Sequence, residues 1–362
     1  MKILHIHPSL KAGGIEAMIC ALANEMALQG HEVSVCSIYE MRCTDVFLHK
    51  LSPKVKKISL GKKEGESPIK TLYQVWRLLK DNNFDIVQMH GYFYYYFISI
   101  FTIHKHKYFY TIHNDASKEN VVYDKYLIWM KRFSFTHNIV HPVTISKESQ
   151  KSFVQLYHCD NRLIYNGIQV PKADSTCDLV DNCRYTENTK VFLNPARVTE
   201  QKNQILLAKT FQRLINEGYD VVLIIAGAIQ DQKIFNQIKG YFSGRIRYIG
   251  EQSDIPTLLF NSDAMCLSSS WEGLPVTLLE SLSLGIIPVC TPVGGIPDIV
   301  QNGKNGFLSE GVDVESYYSA LKKFISMKDE DISKMKKNCI ISFAPYHITK
   351  TVHQYIDYYK QA

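Results

Sequence analysis

Apolar residues fall along the chain in short unbroken runs separated by longer stretches of helical period. The runs at 2–7, 32–38, 86–89, 109–112 and 143–145 read as strands, since continuous apolar stretches of this length suit strands buried on both faces. Between them, 15–28, 69–80 and a region around 125–133 read as helices. The segment Ile164-Tyr-Asn-Gly-Ile168 closes this series, and the polar, turn-rich residues 171–189 read as a linker. A second alternation follows, with strands at 191–195, 221–226, 246–248, 264–268 and 287–290. Its helices lie at 204–216, 234–241, 276–284 and 314–327, and a last helix spans 348–360.

Strands alternating with helices predict a parallel sheet covered on both faces. Two such series in 362 residues predict an α/β protein of two tandem Rossmann-like domains facing across a cleft. The expected boundaries are 1–168 and 169–345, and ligands are expected in a crevice outside the carboxyl ends of the strands.

Composition narrows the setting. The nine cysteines are scattered without a C-x-x-C pair or metal-like Cys/His spacing, which favours reduced thiols and no metal site. The first apolar run is short and interrupted by His5 and His7, unlike a signal peptide, and the longest run, 92–101, is about half of what a membrane span requires. The expectation is a cytoplasmic protein.

The net charge of +6 is unevenly placed: 21 Lys+Arg against 14 Asp+Glu up to Gln169, then 20 against 21. The basic half holds Lys54-Val-Lys-Lys57, Lys62-Lys63 and the aromatic segments 92–97 and 108–110. This mixture suits a phosphate-bearing acceptor or peripheral contact with the anionic inner face of a membrane. The plainer alternative is a solvated loop beside a buried aromatic element. No nucleic-acid partner is expected.

The richest segment is 268–285, Ser-Ser-Ser-Trp-Glu-Gly-Leu-Pro-Val-Thr-Leu-Leu-Glu-Ser-Leu-Ser-Leu-Gly. It follows a predicted buried strand, and Pro275 suits a first helical position. Amides near Val276 and Thr277 would then form a phosphate-attracting helix start. Glu280 shares their helix face, and Glu272 precedes the helix, so the two carboxylates suit hydroxyls at two places along an extended polar ligand. Asn194-Pro-Ala-Arg197 ends another strand, with Lys202 five residues on. Two cations there can neutralise a diphosphate leaving group. Gly13-Gly14 lies between a strand and a helix, where the backbone can approach a ligand closely. His113 follows the strand 109–112, and His90-Gly91 follows 86–89.

On these residues the chain resembles retaining glycosyltransferases of family 4, which have the GT-B fold; Glu272 to Glu280 matches their E-x7-E motif. The resemblance implies that Glu272 contacts the donor sugar and that Gly273, Leu274, Pro275, Val276 and Thr277 form the segment holding sugar and phosphate, through the backbone amides that carry an N–H. It implies that Glu280 binds the ribose, while Arg197 and Lys202 meet the diphosphate. Gly13 and Gly14 match the loop near donor phosphate and acceptor, His113 the histidine near the transferred sugar, and Asn166-Gly167 the domain crossing. The final helix, about 346–362, is then expected to return to the first domain. The implied enzyme is a metal-independent hexosyltransferase without cofactor. Its donor is a nucleotide-diphosphate sugar, with uracil the base most frequent in the family. Its acceptor is a saccharide or lipid-linked saccharide of surface polysaccharide synthesis, met by Glu16, His90 and Gly91.

Retention follows from the resemblance alone; no second carboxylate is placed as a nucleophile, so front-face attack by the acceptor is the expected course. Asp329-Glu-Asp331 spells D-x-D but reads as a solvated acidic turn before a short polar helix. Three alternatives stand beside this reading. A dinucleotide-dependent oxidoreductase would use the first glycine loop and Glu40, but Gly13-Gly14 departs from G-x-G-x-x-G. A nucleotide-sugar epimerase of the same fold would need no acceptor, and a non-catalytic binding module would release no nucleotide.

Overall fold

The structure is a computed structural model that describes residues 1–11, 13–63, 65–117 and 125–362. It divides into Met1–Gln169 with Tyr346–Ala362, and Val170–Pro345. Among the described residues of the first unit, seven strands form one parallel sheet: β1 (Lys2–His7), β2 (Glu32–Tyr39), β3 (Lys56–Lys62), β4 (Ile86–His90), β5 (Lys107–Ile112), β6 (Val140–Thr144) and β7 (Arg162–Leu163). Their order is β3-β2-β1-β4-β5-β6-β7. The central β1 is buried from its second residue to its last, as a strand covered on both faces must be. The order reverses between β1 and β4, so the loops leaving these two strands part and leave room for a ligand.

The edge strand β3 falls where the lysine clusters suggested a loop. Its Ile58 and Leu60 are half-buried while Lys56 and Lys57 face solvent, which suits an edge that must not pair with another chain; Lys62, at its end, is buried and donates to Glu66 O. The aromatic segments of this half are mostly core: Phe93, Tyr95, Tyr96, Tyr108, Phe109 and Tyr110 are buried, and Tyr92 and Tyr94 are exposed. The plainer reading of those segments therefore holds except at exposed Tyr92 and Tyr94 and half-buried Phe97.

The helix Ile348–Gln361 belongs to the first unit and packs with the helix Gly14–Leu28 in one apolar cluster. Two tyrosines key it to the sheet. Tyr359 Oη donates to Gln88 Oε1 at 2.8 Å, Gln88 Nε2 donates to Thr111 Oγ1 at 2.8 Å, and Tyr355 Oη lies 3.3 Å from the same threonine oxygen. The chain leaves and re-enters this unit side by side: Ile168 N donates to Tyr346 O and Ile348 N to Ile168 O. Gly167 allows this, because a Cβ there would meet Thr351.

Among the described residues of the second unit, six parallel strands are ordered β10-β9-β8-β11-β12-β13. They are β8 (Lys190–Pro195), β9 (Val221–Ala226), β10 (Ile246–Tyr248), β11 (Ala264–Leu267), β12 (Ile287–Cys290) and β13 (Phe307–Leu308). Here the reversal lies between β8 and β11. The Asp329-Glu-Asp331 triplet is the first turn of a 15-residue helix, Asp329–Phe343. Carboxylates at a helix start interact favourably with its dipole, so these are helix-terminal residues and not a free turn.

Candidate active site

In the second unit the loops after β8 and β11 flank the reversal point, and several hydrogen bonds sew them together. Ser270 N donates to Gln201 O at 2.8 Å, Gln201 Nε2 donates to Trp271 O at 2.9 Å, and Ser268 Oγ donates to Lys202 O at 2.8 Å. The join brings Lys202 to Glu272 across 70 residues of sequence: Lys202 Nζ donates to Glu272 Oε1 at 2.5 Å. Ser269 Oγ donates to the same oxygen at 2.6 Å. The two side chains are only 17% and 6% exposed, so the pair is shielded from screening by solvent. Sequence placed Lys202 at a phosphate and Glu272 at a sugar; the structure adds that the two are one ion pair.

Arg197 leaves the end of β8 exposed, and its guanidinium has no hydrogen-bond partner among the described residues. Its backbone lies close against the end of β9, because a Cβ at Gly227 would strike the Ala196 carbonyl. Asn203, beside Lys202, holds a left-handed conformation (φ 48°) as the cap of the helix Gln204–Asn216. Backbone of this kind is held in place by its surroundings and is common at ligand-binding loops.

The helix Val276–Ser283 begins where the pattern placed it, but Pro275 is its cap and not its first helical residue, and no side chain caps it. Gly273, Leu274 and Pro275 are buried, while Val276, Thr277 and Glu280 are half-buried. A third loop supports this segment and was missed from sequence. Gly294 (φ 60°) presses against the Glu272 carbonyl where no Cβ would fit, and Gly295 N donates to Gly273 O at 2.6 Å. The signal was present: Gly294-Gly295 follows a strand just as Gly13-Gly14 does.

In the first unit, Gly13 caps the helix Gly14–Leu28, and a Cβ on it would collide with the Glu16 carboxylate. Gly91 (φ 70°) and Tyr92 (φ 48°) are both left-handed and turn the chain sharply after β4. His90 corrects the expectation of direct acceptor contact. It is fully buried, with Nε2 3.2 Å from His5 Nδ1 and Nδ1 3.0 Å from His113 Nε2. Its imidazole is therefore occupied on both sides by other histidines. His113 is 5% exposed, and burial lowers its pKa to about 3, so it is neutral at physiological pH.

Among the described residues no group of three or more His, Cys, Asp or Glu is placed to hold a metal ion. No helix among them is long and apolar enough to cross a membrane.

The sequence model of the family described as Glycosyl transferases group 1 matches residues 183–341, and that of Glycosyltransferase Family 4 matches residues 12–171. A relative from Escherichia coli, UDP-Gal:alpha-D-GlcNAc-diphosphoundecaprenol alpha-1,3-galactosyltransferase, is 30% identical over 210 residues, 54% of this chain and 53% of its own. N-acetyl-alpha-D-glucosaminyl L-malate synthase of Bacillus anthracis is 25% identical over 200 residues, 55% of this chain and 49% of its own. The chain thus spans about half the length of these curated relatives. Among solved structures, Anabaena HepE in complex with UDP and glucose is similar over the whole of both chains, with a TM-score of 0.83 at 17% identity. WaaG, a glycosyltransferase involved in lipopolysaccharide biosynthesis, covers 99% of this chain with all of its own, at a TM-score of 0.75 and 13% identity.

Proposed function

Because the chain belongs to glycosyltransferase family 4 and has the GT-B fold, we propose that it moves a hexosyl unit, with retention, from a UDP-sugar to a saccharide or lipid-linked acceptor. The observation that carries this reading is the buried Lys202–Glu272 pair at the reversal point of the second sheet. An ammonium has three N–H donors. One is committed to Glu272, and the others suit the oxygens of a diphosphate.

The carboxylate facing the sugar and the cation facing the leaving group are thereby held in fixed relation before any donor arrives. Preorganisation of this kind lowers the barrier where negative charge develops on the departing nucleotide. Arg197 and the uncapped start of the helix Val276–Ser283 add positive potential for the same group. Glu280 on that helix is assigned to the ribose. Gly13, Gly14 and His113 are assigned to the donor phosphate and transferred sugar, and Glu16 and Gly91 to the acceptor. No residue of this set calls for a metal. The test is release of free UDP from a panel of UDP-sugars with and without saccharide acceptors. Wild-type protein is expected to release it and Lys202→Ala is not; no release with any donor would sink the reading.

A lipid-linked acceptor is supported by the diphosphoundecaprenol in the Escherichia coli relative's name and by one surface of the first unit. The helix Lys125–Thr136 turns Tyr126 (79% exposed) and Trp129 (63%) outward together with Phe133, Lys125 and Arg132, and none of the helix's own residues is a carboxylate. Aromatic rings flanked by cations suit the headgroup region of an anionic bilayer. Flotation with phosphatidylglycerol vesicles is expected to carry the protein, and Tyr126→Ser with Trp129→Ser to abolish it. Equal flotation with neutral phosphatidylcholine would remove the charge-based part of the argument.

A further inference from the structure

The first unit has a cleft of about 240 Å³ that the roles above leave unassigned. Its walls include Lys11 after β1, Tyr39, Glu40 and Arg42 at the end of β2, Lys62 at the end of β3 and Tyr92 after β4. These four strands are neighbours in the sheet, and β1 and β4 flank the reversal of its order. A cleft of this size is smaller than the roughly 300–1,000 Å³ that encloses a whole ligand, so it suits one group of a larger molecule.

The charge of the walls says which group. Lys11, Arg42 and Lys62 stand there against the single carboxylate of Glu40. Glu40 lies 4.0 Å from the Arg42 guanidinium with both side chains at least half exposed, and a pair of that kind contributes little. Lys62 is the unusual member, because it is only 6% exposed. Its ammonium donates to Glu66 O at 2.8 Å and more weakly to Lys63 O at 3.4 Å, and lies 5.4 Å from the centre of the Tyr39 ring. Among the described residues no carboxylate is paired with it. Glu66, whose charge it does feel, is engaged by Lys63 N at 3.0 Å and Lys70 Nζ at 3.5 Å. A cation this deeply buried is ordinarily paired, since desolvation without a counter-charge is costly. With three N–H donors, the ammonium keeps capacity for an anion that enters the cleft.

Tyr92 is an independent sign. Its left-handed backbone (φ 48°) is unfavourable for a tyrosine, and such conformations are retained where they serve a site. The ring rests on buried Tyr95, with centroids 6.0 Å apart, and 47% of the residue stays exposed. A fixed aromatic face beside a cationic cleft suits the apolar face of a sugar whose neighbouring group is charged.

We propose that this cleft binds a phosphate or diphosphate group carried by the acceptor saccharide, with Lys62 as the buried contact and Lys11 and Arg42 as exposed ones. The word acceptor rests on the transferase reading; the anion site does not. Of the lysines on β3, Lys62 alone lines the cleft, so it and not the exposed Lys56 and Lys57 would tell a phosphorylated acceptor from a neutral one.

The test is calorimetric titration of the whole protein with inorganic pyrophosphate, glucose 1-phosphate and methyl glucoside, with UDP saturating so that Arg197 and Lys202 are already engaged. The two phosphates are expected to bind, and methyl glucoside at least about tenfold more weakly. Lys62→Met keeps the apolar stem without the charge, and is expected to weaken both phosphates about tenfold or more. Lys151→Met removes an exposed charge of the same unit outside the cleft and is expected to change neither. Lys11→Met and Arg42→Met are expected to have smaller effects that fade with added salt, as exposed charges do. Should Lys62→Met not fold, the double variant of Lys11 and Arg42 at low salt carries the same test. Phosphates that bind Lys62→Met as tightly as wild type, or an equal loss in Lys151→Met, overturn the site. Lipid headgroups offer the same chemistry: if Lys62→Met loses flotation with phosphatidylglycerol vesicles but binds glucose 1-phosphate as wild type does, the acceptor role is overturned. Binding as expected in a protein that releases UDP from no donor overturns the transferase reading and leaves the anion site standing.

Discussion

At the scale of single residues, the ion pair between Lys202 and Glu272 makes the sharpest demands. Two charges this little exposed are tolerable together, whereas one alone is costly; breaking a buried pair from one side typically destabilises by about 3–5 kcal/mol. Lys202→Ala is therefore expected to lose stability as well as turnover, and adding Glu272→Gln to it should return a good part of the stability while turnover stays low. The loss of turnover from either change is expected to be on the order of 10² to 10³, the size seen when one preorganised group at a developing charge is removed. Urea unfolding beside UDP release separates the two effects; a double variant less stable than Lys202→Ala would contradict the pairing. The residue types of this site were legible because glutamates eight apart after a strand, and cations after another, have few uses in common. Their pairing was not legible, since it depends on which strand ends the topology makes neighbours. His90 shows the same limit. Its place at a strand's carboxyl end was readable, but its ring lies between His5 and His113, which take up both of its nitrogens.

At the scale of elements, strong periodicity was read and weak periodicity was not. The strands of both sheet centres are continuous apolar runs and stand close to where the pattern placed them. The edge strand β3 escaped because three lysines and Gly61 dilute its alternation. The helix Lys147–Tyr157 escaped because it buries only Ser149, Phe153 and Tyr157; its clearest signal is the capping box at Ser146. The last helix was legible as a helix, but its home was implied only by family resemblance. The structure supplies the physical reason in its buried tyrosines. Tyr359→Phe removes the hydroxyl that satisfies Gln88 Oε1 and leaves that oxygen buried. The expected cost is about 1–3 kcal/mol, the penalty for an unsatisfied buried polar group. Urea unfolding of the variant measures it, and a change below ~0.5 kcal/mol would mean that this bond does not hold the helix in place.

At the scale of the whole molecule, titratable groups are divided sharply between the two units. All thirteen histidines lie in Met1–Gln169 or Tyr346–Ala362, and Val170–Pro345 has none. Burial lowers the pKa of His5 and His7 to about 4 and of His113 to about 3, and lowers His90, His31 and His141 as well. A histidine whose folded pKa lies below its unfolded value of about 6.5 binds its proton more readily in the unfolded chain. Its contribution to stability is therefore complete above about pH 6.5 and falls as the pH drops toward the folded value. Each strongly shifted group removes about 1.4 kcal/mol per pH unit across that window. Acidification from pH 7 to 5 is thus expected to weaken the first unit by several kcal/mol while leaving the second nearly as stable, since few carboxylates titrate above pH 5. Hydrogen exchange followed peptide by peptide distinguishes the units: protection should fall first in β1, β4 and β5, together with the final helix that packs on their sheet. If instead β8, β9 and β11 lose protection first, the buried histidines do not govern the acid limit of this fold.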